Sequence, residues 1–324
     1  MRRRDLILGI AYGVALSPLV SEAQQPGKTP HIGVLWLAPN PANDAAFRQR
    51  LQELGYIDGR TIRIDVRNAE GRIDRLPALA RELVDARVEL IVAVAANASR
   101  AAKDATSSIP VVMVHAGDPV GSGLVKSMAY PGGNVTGTTS MLGEIAGKQV
   151  ELLHETAPSA FRLAIMANST NPGTPLALRN AEDAAHRIGL QTAVFDIVTA
   201  DDFTPAFAAI TQSGADALVV QMDPFFIANR HSIIEFATRA RLPTIYSVGR
   251  PVRDGGLMSY TTNFLVHYAR AADYVDRILK GAKPAGLPIE QPTEFLLIVN
   301  LKAARAIGLT IPPAIIQRAD EVIE

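Results

Sequence analysis

The 324-residue chain contains no cysteine. This absence excludes disulfide bonds, thiolate nucleophiles, cysteine-based zinc sites and a lipid anchor on cysteine. The chain also has no net charge, because its 32 basic residues balance 32 acidic ones. The sequence therefore lacks the basic surface that nucleic acids or anionic membranes attract, and we expect no nucleic-acid partner.

Motifs for cofactors and catalysis are missing as well. The glycines of residues 117–123 do not follow the G-x-G-x-x-G order of dinucleotide-binding loops, and residues 143–148 are one position short of a P-loop. No G-x-S-x-G nucleophile elbow occurs, and the six histidines show no H-x-x-x-H or H-x-H spacing. We therefore expect no cofactor, no metal site and no catalytic residue.

The longest apolar run lies at the N-terminus. Arg2, Arg3 and Arg4 precede an apolar stretch over residues 6–20, and small residues occupy the −3 and −1 positions before a break after Ala23. This pattern indicates a secretory leader over residues 1–23 and a periplasmic location. The run is short for a bilayer span, so an uncleaved anchor is the weaker alternative, and general secretion and twin-arginine export both stay open.

After Pro30, short β-branched runs alternate with amphipathic segments. Strands are predicted at 31–37, 61–69, 90–95 and 109–114, and helices at 44–54, 76–86 and 98–105. Such alternation implies βαβ units and a parallel sheet.

The second half repeats the first. Leu54-Gly55 recurs as Ile188-Gly189, the run 90–94 recurs at 217–221, and 109–113 recurs at 242–246, at nearly constant separation. We therefore predict two similar α/β domains. The remaining helix at 265–279, strand at 295–299 and helix at 301–307 are followed by a polar tail, and we expect this segment to add a helix and a strand to each domain.

Polar and aromatic side chains cluster at the predicted strand ends. In open α/β sheets ligands bind at the carboxyl edge of the strands, and the helix opening near 171–174 offers N–H groups suited to a carboxylate. Asp118 and Asp223 could act as a catalytic acid/base pair, and this alternative stays open. Each is followed by proline, however, and Asp-Pro is also common in turns. The candidate ligand-binding residues are Trp36, Asn40, Asn97, His115, Asp118, Thr138, Ser140, Asn168, Asn171, Asp223, Tyr246 and Tyr260.

Seven spaced segments are typical of one protein family. They are Phe47–Gly59, Ala69–Val84, Asp118–Val120, Pro131–Gly137, Gly255–Tyr260, Tyr274–Pro284 and Gly308–Pro312. In these segments the chain resembles the ABC transporter substrate-binding family that includes tryptophan-binding members. The resemblance covers almost all of the chain after the leader. The chain departs from the family pattern at residues 168–172, NSTNP. The family commonly has two Asn-Pro pairs here, whereas this chain has Ser169 after the first asparagine and keeps only the second pair, Asn171-Pro172.

The resemblance implies a type I periplasmic-binding-protein fold, in which two Rossmann-like lobes with parallel sheets are joined by crossing strands. The first lobe would comprise 30–140 plus about 262–295, and the second 141–261 plus about 296–324. The resemblance further implies that the lobes close on a small ligand and present it to ABC permease subunits. The aromatic and polar loop residues, together with the absence of net charge, suggest an amino acid, an aromatic acid or a similar small molecule, and we expect a monomer. An exported sensor feeding a membrane receptor and an exported enzyme using Asp118 and Asp223 remain as alternatives.

Overall fold

The computed structural model describes residues 29–38 and 40–324, so the predicted leader lies outside the described residues. Strands and helices alternate along the chain as the sequence predicts. The first eight elements are β1 (His31–Trp36), α1 (Pro41–Glu53), β2 (Arg63–Asn68), α2 (Leu76–Asp85), β3 (Leu90–Val94), α3 (Ala95–Ala105), β4 (Val111–Ala116) and β5 (Val135–Thr139).

The five strands of this first lobe form one parallel sheet in the order β2-β1-β3-β4-β5. Every residue of β3 and β4 is buried, as a strand covered on both faces requires. One face packs on α2 and α3 through side chains such as Leu79 and Ala102. The other face packs on α1 and on a later helix that carries Tyr274.

The second lobe repeats this plan with additions at one edge. The remaining elements are α4 (Leu142–Thr156), β6 (Arg162–Ala167), α5 (Thr174–Arg187), β7 (Gln191–Asp196), α6 (Phe203–Gln212), β8 (Ala217–Val220), α7 (Pro224–Ala228), α8 (Arg230–Arg239), β9 (Thr244–Tyr246), α9 (Gly249–Arg253), β10 (Met258–Thr262), α10 (Phe264–Leu279), β11 (Phe295–Asn300), α11 (Leu301–Ala306), α12 (Pro313–Arg318) and β12 (Glu321–Ile323). The second-lobe sheet has the order β12-β11-β10-β9-β8-β6-β7, and among its described pairs β10–β11 is antiparallel while the others are parallel.

The chain passes between the two sheets three times. It leaves the first sheet after β5 and returns after β10, because α10 packs on the first sheet beside α1. It leaves again before β11, after a single bridge between Thr138 and Glu290. This is the fold class predicted from the sequence: two α/β lobes with mostly parallel sheets, joined by crossing segments.

The prediction for the C-terminal segment is wrong in two respects. Within the described residues, the first sheet gains only the Thr138–Glu290 bridge, while both β11 and β12 join the second sheet. The expected polar tail contains the strand β12, which pairs with β11. A three-residue edge strand has one partner and a half-exposed face, so it is too short and too polar to show strand periodicity.

Two helices begin earlier than predicted. The first starts at Pro41, because Asn40 caps it by accepting a hydrogen bond from the Ala42 N–H at 3.0 Å and proline suits the first helical turn. Likewise, α3 starts directly after β3 at Ala95, whose φ of 66° turns the backbone sharply. The early start brings the first turn of α3 to the carboxyl edge of the sheet.

Candidate ligand-binding cleft

The two sheets face each other at the carboxyl ends of their strands. The cleft between them has a volume of about 510 Å³, solvent at its mouth included. The first lobe lines it with residues at the carboxyl ends of β3, β4 and β5, namely Ala95, Ala96, His115, Gly117 and Ser140. The second lobe contributes the start of α4 and the polar groups Gln149, Asn171, Thr174, Gln221 and Ser247.

Glycines bring the lobes into contact at one point. A Cβ built on Gly117 would lie 3.5 Å from the Cα of Gly173 in the other lobe. Gly117 follows β4 and Gly173 lies between β6 and α5, so the contact joins a strand-end loop of one lobe to a strand-end loop of the other. At this point the cleft is shut by backbone atoms alone.

Three long helices begin at the cleft without a capping side chain. Val94, Met141 and Gly173 occupy the N-cap positions of α3, α4 and α5, and none of these side chains bonds the first turn. The positive ends of the helix dipoles are therefore directed toward the cleft, where they favour negative charge. These helix starts give the lining a positive potential without a cationic side chain.

His115 is the next-to-last residue of β4 and lines the cleft. Its backbone has φ 47°, and its N–H donates to the Thr138 hydroxyl at 3.0 Å. The ring Nε2 lies 3.2 Å from the Tyr268 hydroxyl, whereas Nδ1 has no partner in the described chain. Burial is the main cause that lowers the pKa of His115 to about 3, with a smaller contribution from His267. The ring is therefore neutral at physiological pH.

Gln221 is a cleft residue that sequence reasoning missed. It directly follows β8, is 4% exposed, and neither amide atom has a hydrogen-bond partner in the described part of the chain. An unpaired buried amide is costly, so this side chain is suited to an incoming ligand. Its sequence signal was a single polar residue at the end of the apolar run ALVVQ.

Gln149 of α4 also lines the cleft and was not predicted from the sequence. Both its amide nitrogen and its amide oxygen hydrogen-bond to other residues of the chain. Its Nε2 donates to the Tyr260 carbonyl at 2.7 Å, and its Oε1 accepts from the Ser247 hydroxyl at 3.2 Å. This amide therefore links α4 to β10 and to the loop after β9 rather than waiting for a ligand.

Three of the sequence-predicted residues line the cleft: His115, Ser140 and Asn171. Asn171 is positioned by a residue outside the lining, because its Nδ2 donates to the buried Asp223 carboxylate at 2.8 Å. Burial raises the pKa of Asp223, and its other oxygen accepts the Phe225 N–H at 2.7 Å. Asp223 thus orients a cleft residue without lining the cleft itself.

The other candidates lie outside the lining. Trp36 stacks on Tyr268 at 5.5 Å in the first-lobe core, and Tyr246 is buried in the second-lobe core with Ile233 and Phe236. Strand alternation explains Tyr246, because the next residue, Ser247, carries the side chain that faces the cleft. The rest cap turns, sit within buried elements or stack on crossing strands: Asn40, Asn97, Asp118, Thr138, Asn168 and Tyr260.

The geometry does not favour acid/base chemistry by the two aspartates. Asp118 accepts the Gly121 N–H at 2.7 Å, and Asp223 caps α7, so each carboxylate serves its own turn. In residues 29–38 and 40–324, no group of three or more histidine, aspartate or glutamate side chains is placed to hold a metal ion. The lining instead presents neutral hydrogen-bonding groups, which are suited to binding a ligand.

A model of the ABC transporter substrate binding protein family matches residues 32–323. The chain belongs to this family. A curated tyrosine-binding protein from Clostridioides difficile (strain R20291) is 27% identical over 285 residues, which are 87% of this chain and 82% of that protein. Members of the ABC transporter substrate-binding family bind solutes and are not enzymes.

Two solved structures of similar proteins differ in state. An ABC domain from Streptococcus pneumonia in complex with L-Trp is 27% identical, with a TM-score of 0.86 over 91% of this chain and 100% of that one. The ligand-free, open structure of a substrate binding protein with adhesive properties from Clostridium difficile is 26% identical, with a TM-score of 0.67 over 91% and 99%. The lobes of this chain are therefore arranged more like those of the L-Trp complex than like those of the open structure. The contact between Gly117 and Gly173 agrees with this arrangement.

Proposed function

We propose that this chain is the periplasmic substrate-binding component of an ABC uptake transporter and captures an amino acid, an aromatic acid or a similar small molecule between its lobes. The observation that carries the proposal is the pair of buried polar side chains, His115 and Gln221, which face the cleft from opposite lobes with unused hydrogen-bonding groups. A ligand that bonds both lobes stabilises the closed arrangement, which membrane permease subunits would then recognise.

The proposed ligand contacts are revised from the sequence-based set. His115, Ser140 and Asn171 are retained, and Gln221, Ser247 and the first turns of α3 and α4 are added because they line the same cleft. The proposed lobes are 30–140 with about 262–295 and 141–261 with about 296–324, a division supported by sheet membership.

Export rests on the leader-like residues 1–23. In the described part of the chain no helix has the length and apolarity that bilayer crossing requires. We propose cleavage near Ala23 and release as a monomer. Cell fractionation, N-terminal sequencing and light scattering of the native protein test these points, and a chain retained in the cytoplasm with residue 1 intact would contradict them.

Binding is tested by a thermal-shift screen of the mature chain against amino acids, aromatic acids and sugars, followed by calorimetry of each hit. A ligand at 100 times its Kd adds about 2.7 kcal/mol to the free energy of unfolding. For a protein of this size we expect a rise in Tm of about 5 °C or more.

Two further measurements separate the alternatives. Mass spectrometry of the recovered ligand should show it unchanged, whereas turnover would favour an enzyme. Cells lacking this protein should lose uptake of the ligand; normal uptake with a lost transcriptional or motility response would favour a sensor.

A further inference from the structure

The charge character of the cleft restricts its ligand. Among the described lining residues there is no acidic or basic side chain, and the only titratable one, His115, is neutral. Asp223, the buried carboxylate behind Asn171, uses both oxygens on Asn171 and the Phe225 N–H. Glu144 in the first turn of α4 and Asp118 after Gly117 are not among the lining residues. An ammonium group on a ligand would therefore meet no carboxylate in the lining, whereas an anion would meet the positive ends of α3, α4 and α5.

A buried hydrogen bond sets which ring nitrogen of His115 carries the proton. The Tyr268 hydroxyl is buried and lies 3.2 Å from Nε2 of His115. A buried hydroxyl donates its proton to an available acceptor, so Tyr268 donates to Nε2. In a neutral imidazole the proton must then reside on Nδ1, which becomes an N–H donor available to the cleft.

The second lobe supplies a matching donor. Gln221 is 4% exposed, and its Nε2 has no acceptor in the described chain. We propose that His115 Nδ1, the Gln221 amide and the first turns of α3 and α4 form a carboxylate subsite, and that the ligand is an organic acid that needs no ammonium group. This inference rests on the proposed function and deepens it, because it selects acids from the broader class of small organic ligands.

Two series of compounds test the subsite by calorimetry on the mature chain. The first is L-tyrosine, 3-(4-hydroxyphenyl)propionate and tyramine; the second is L-tryptophan, indole-3-propionate and tryptamine. We expect the acid of at least one series to bind within tenfold of its amino acid or more tightly, and the amine at least 100-fold more weakly. An amine that binds within tenfold of the acid, or an amino acid that binds when its acid does not, overturns the proposal.

Variants test the assigned groups with the binding acid as probe. Gln221→Leu should weaken binding at least tenfold, and Tyr268→Phe should weaken it several-fold by releasing the His115 tautomer. Tyr274→Phe, on the same helix with its hydroxyl bonded to the Pro288 carbonyl, is the matched control and should bind normally. Long-range ¹⁵N spectra should show the His115 proton on Nδ1 in the wild type and a changed ratio only in Tyr268→Phe.

The results also separate this inference from the proposed function. If none of the six compounds binds but an organic cation or a sugar from the screen does, the carboxylate subsite is wrong while ligand capture stands. If nothing in the screen binds, the proposed function fails and the subsite fails with it. Wild-type affinity for the acid in both Gln221→Leu and Tyr268→Phe would leave acid binding intact but overturn the assigned subsite.

Discussion

Gln221 and Gln149 are two buried glutamines in the same cleft with opposite environments. Gln149 uses its carboxamide oxygen and nitrogen on protein partners, whereas Gln221 uses neither on the described residues. A buried polar group that lacks a partner costs about 1–3 kcal/mol, and removing one member of a satisfied pair costs a similar amount. The two residues therefore offer a comparison in which the same substitution has opposite effects on stability.

We predict that Gln221→Leu raises the free energy of unfolding of the ligand-free protein by about 1 kcal/mol, because it removes an unsatisfied amide at nearly constant volume. Gln149→Leu should lower it by about 1–3 kcal/mol, because it removes the hydrogen bond to the buried Tyr260 carbonyl and leaves the Ser247 hydroxyl with the Val220 carbonyl alone. Urea unfolding of both variants measures the difference. Loss of stability in Gln221→Leu would show that this amide has a structural role.

A second prediction concerns pH. Burial lowers the pKa of His115 to about 3 and that of His267 to about 4, both from 6.5. Below pH 6.5 both histidines bind protons in the unfolded chain but stay neutral in the folded chain. The free energy of unfolding therefore falls as the pH falls toward 4. Each histidine contributes a loss of about 1.4 kcal/mol per pH unit.

The His267→Gln variant isolates one of these contributions, because glutamine can keep the bond that His267 makes with Thr262 at 3.2 Å. Unfolding in urea at pH 6.5, 5.5 and 4.5 should show a slope reduced by about 1.4 kcal/mol per unit relative to the wild type. The exposed His231 supplies the control His231→Gln. Equal slopes in all three proteins would contradict a neutral, buried His267.

The sequence could locate the cleft but only part of its lining. Of its polar candidates, His115, Ser140 and Asn171 line the cleft, and His115 directly follows the predicted strand at 109–114. The sequence could not show which of two neighbours, Tyr246 or Ser247, lines the cleft. Side chains alternate along a strand, so an error of one residue in the predicted strand exchanges the residue in the core with the residue at the cleft. The stacking of Trp36 on Tyr268 joins segments more than 200 residues apart, which no local pattern reveals.

At the scale of elements, helix ends carry much of the internal repeat. The landmark pair Leu54-Gly55 and Ile188-Gly189 marks the same turn in the two lobes, where glycine takes φ 92° and 81°. In each case the next N–H returns to the fifth residue before it, as in Tyr56 to Leu51, which closes the helix with a Schellman motif. The repeat was detectable because this left-handed position favours glycine.

Two helices make the same turn with arginine. Arg87 after α2 and Arg241 after α8 have φ 57° and 53°, and the following N–H groups bond Leu83 and Ala237. A left-handed conformation costs a residue with a Cβ about 1–2 kcal/mol, while glycine loses about 0.5–1 kcal/mol more entropy on folding. The balance favours glycine at both exposed positions.

We therefore predict that Arg87→Gly and Arg241→Gly each stabilise the protein by about 0.5–1 kcal/mol. The double variant should show the sum, because the two turns lie in different lobes. Gly189→Ala is the reverse control and should destabilise by about 1 kcal/mol. Urea midpoints at constant m-value measure all four proteins, and destabilisation by either arginine substitution would mean that its side chain contributes more than the backbone strain costs.

At the scale of the whole molecule, function requires two arrangements of the lobes rather than one. Three crossing segments connect the lobes, and Gly117 lies beside the first of them, because the Thr139 hydroxyl is 3.4 Å from the Gly117 carbonyl oxygen. Gly173 of the second lobe approaches Gly117 at this place. Closure needs only a ligand that binds the closed state better than the open one, since equal affinity for both would shift nothing. The backbone contact sets how far the lobes can close.

A side chain at Gly117 should therefore weaken binding without harming the fold. Gly117 does not take a left-handed φ, so Gly117→Val introduces bulk against Gly173 rather than backbone strain. We predict an affinity at least tenfold lower, about 1.4 kcal/mol, and loss of compaction on ligand addition in X-ray scattering, with an unchanged urea midpoint. Gly133→Val is the matched control, because nothing lies within 4 Å of its added Cβ, and it should bind and compact as the wild type does. If Gly117→Val still closes with full affinity, the lobes of the liganded protein must stop short of this contact, and the cleft would be wider in solution than the approach of the two glycines implies.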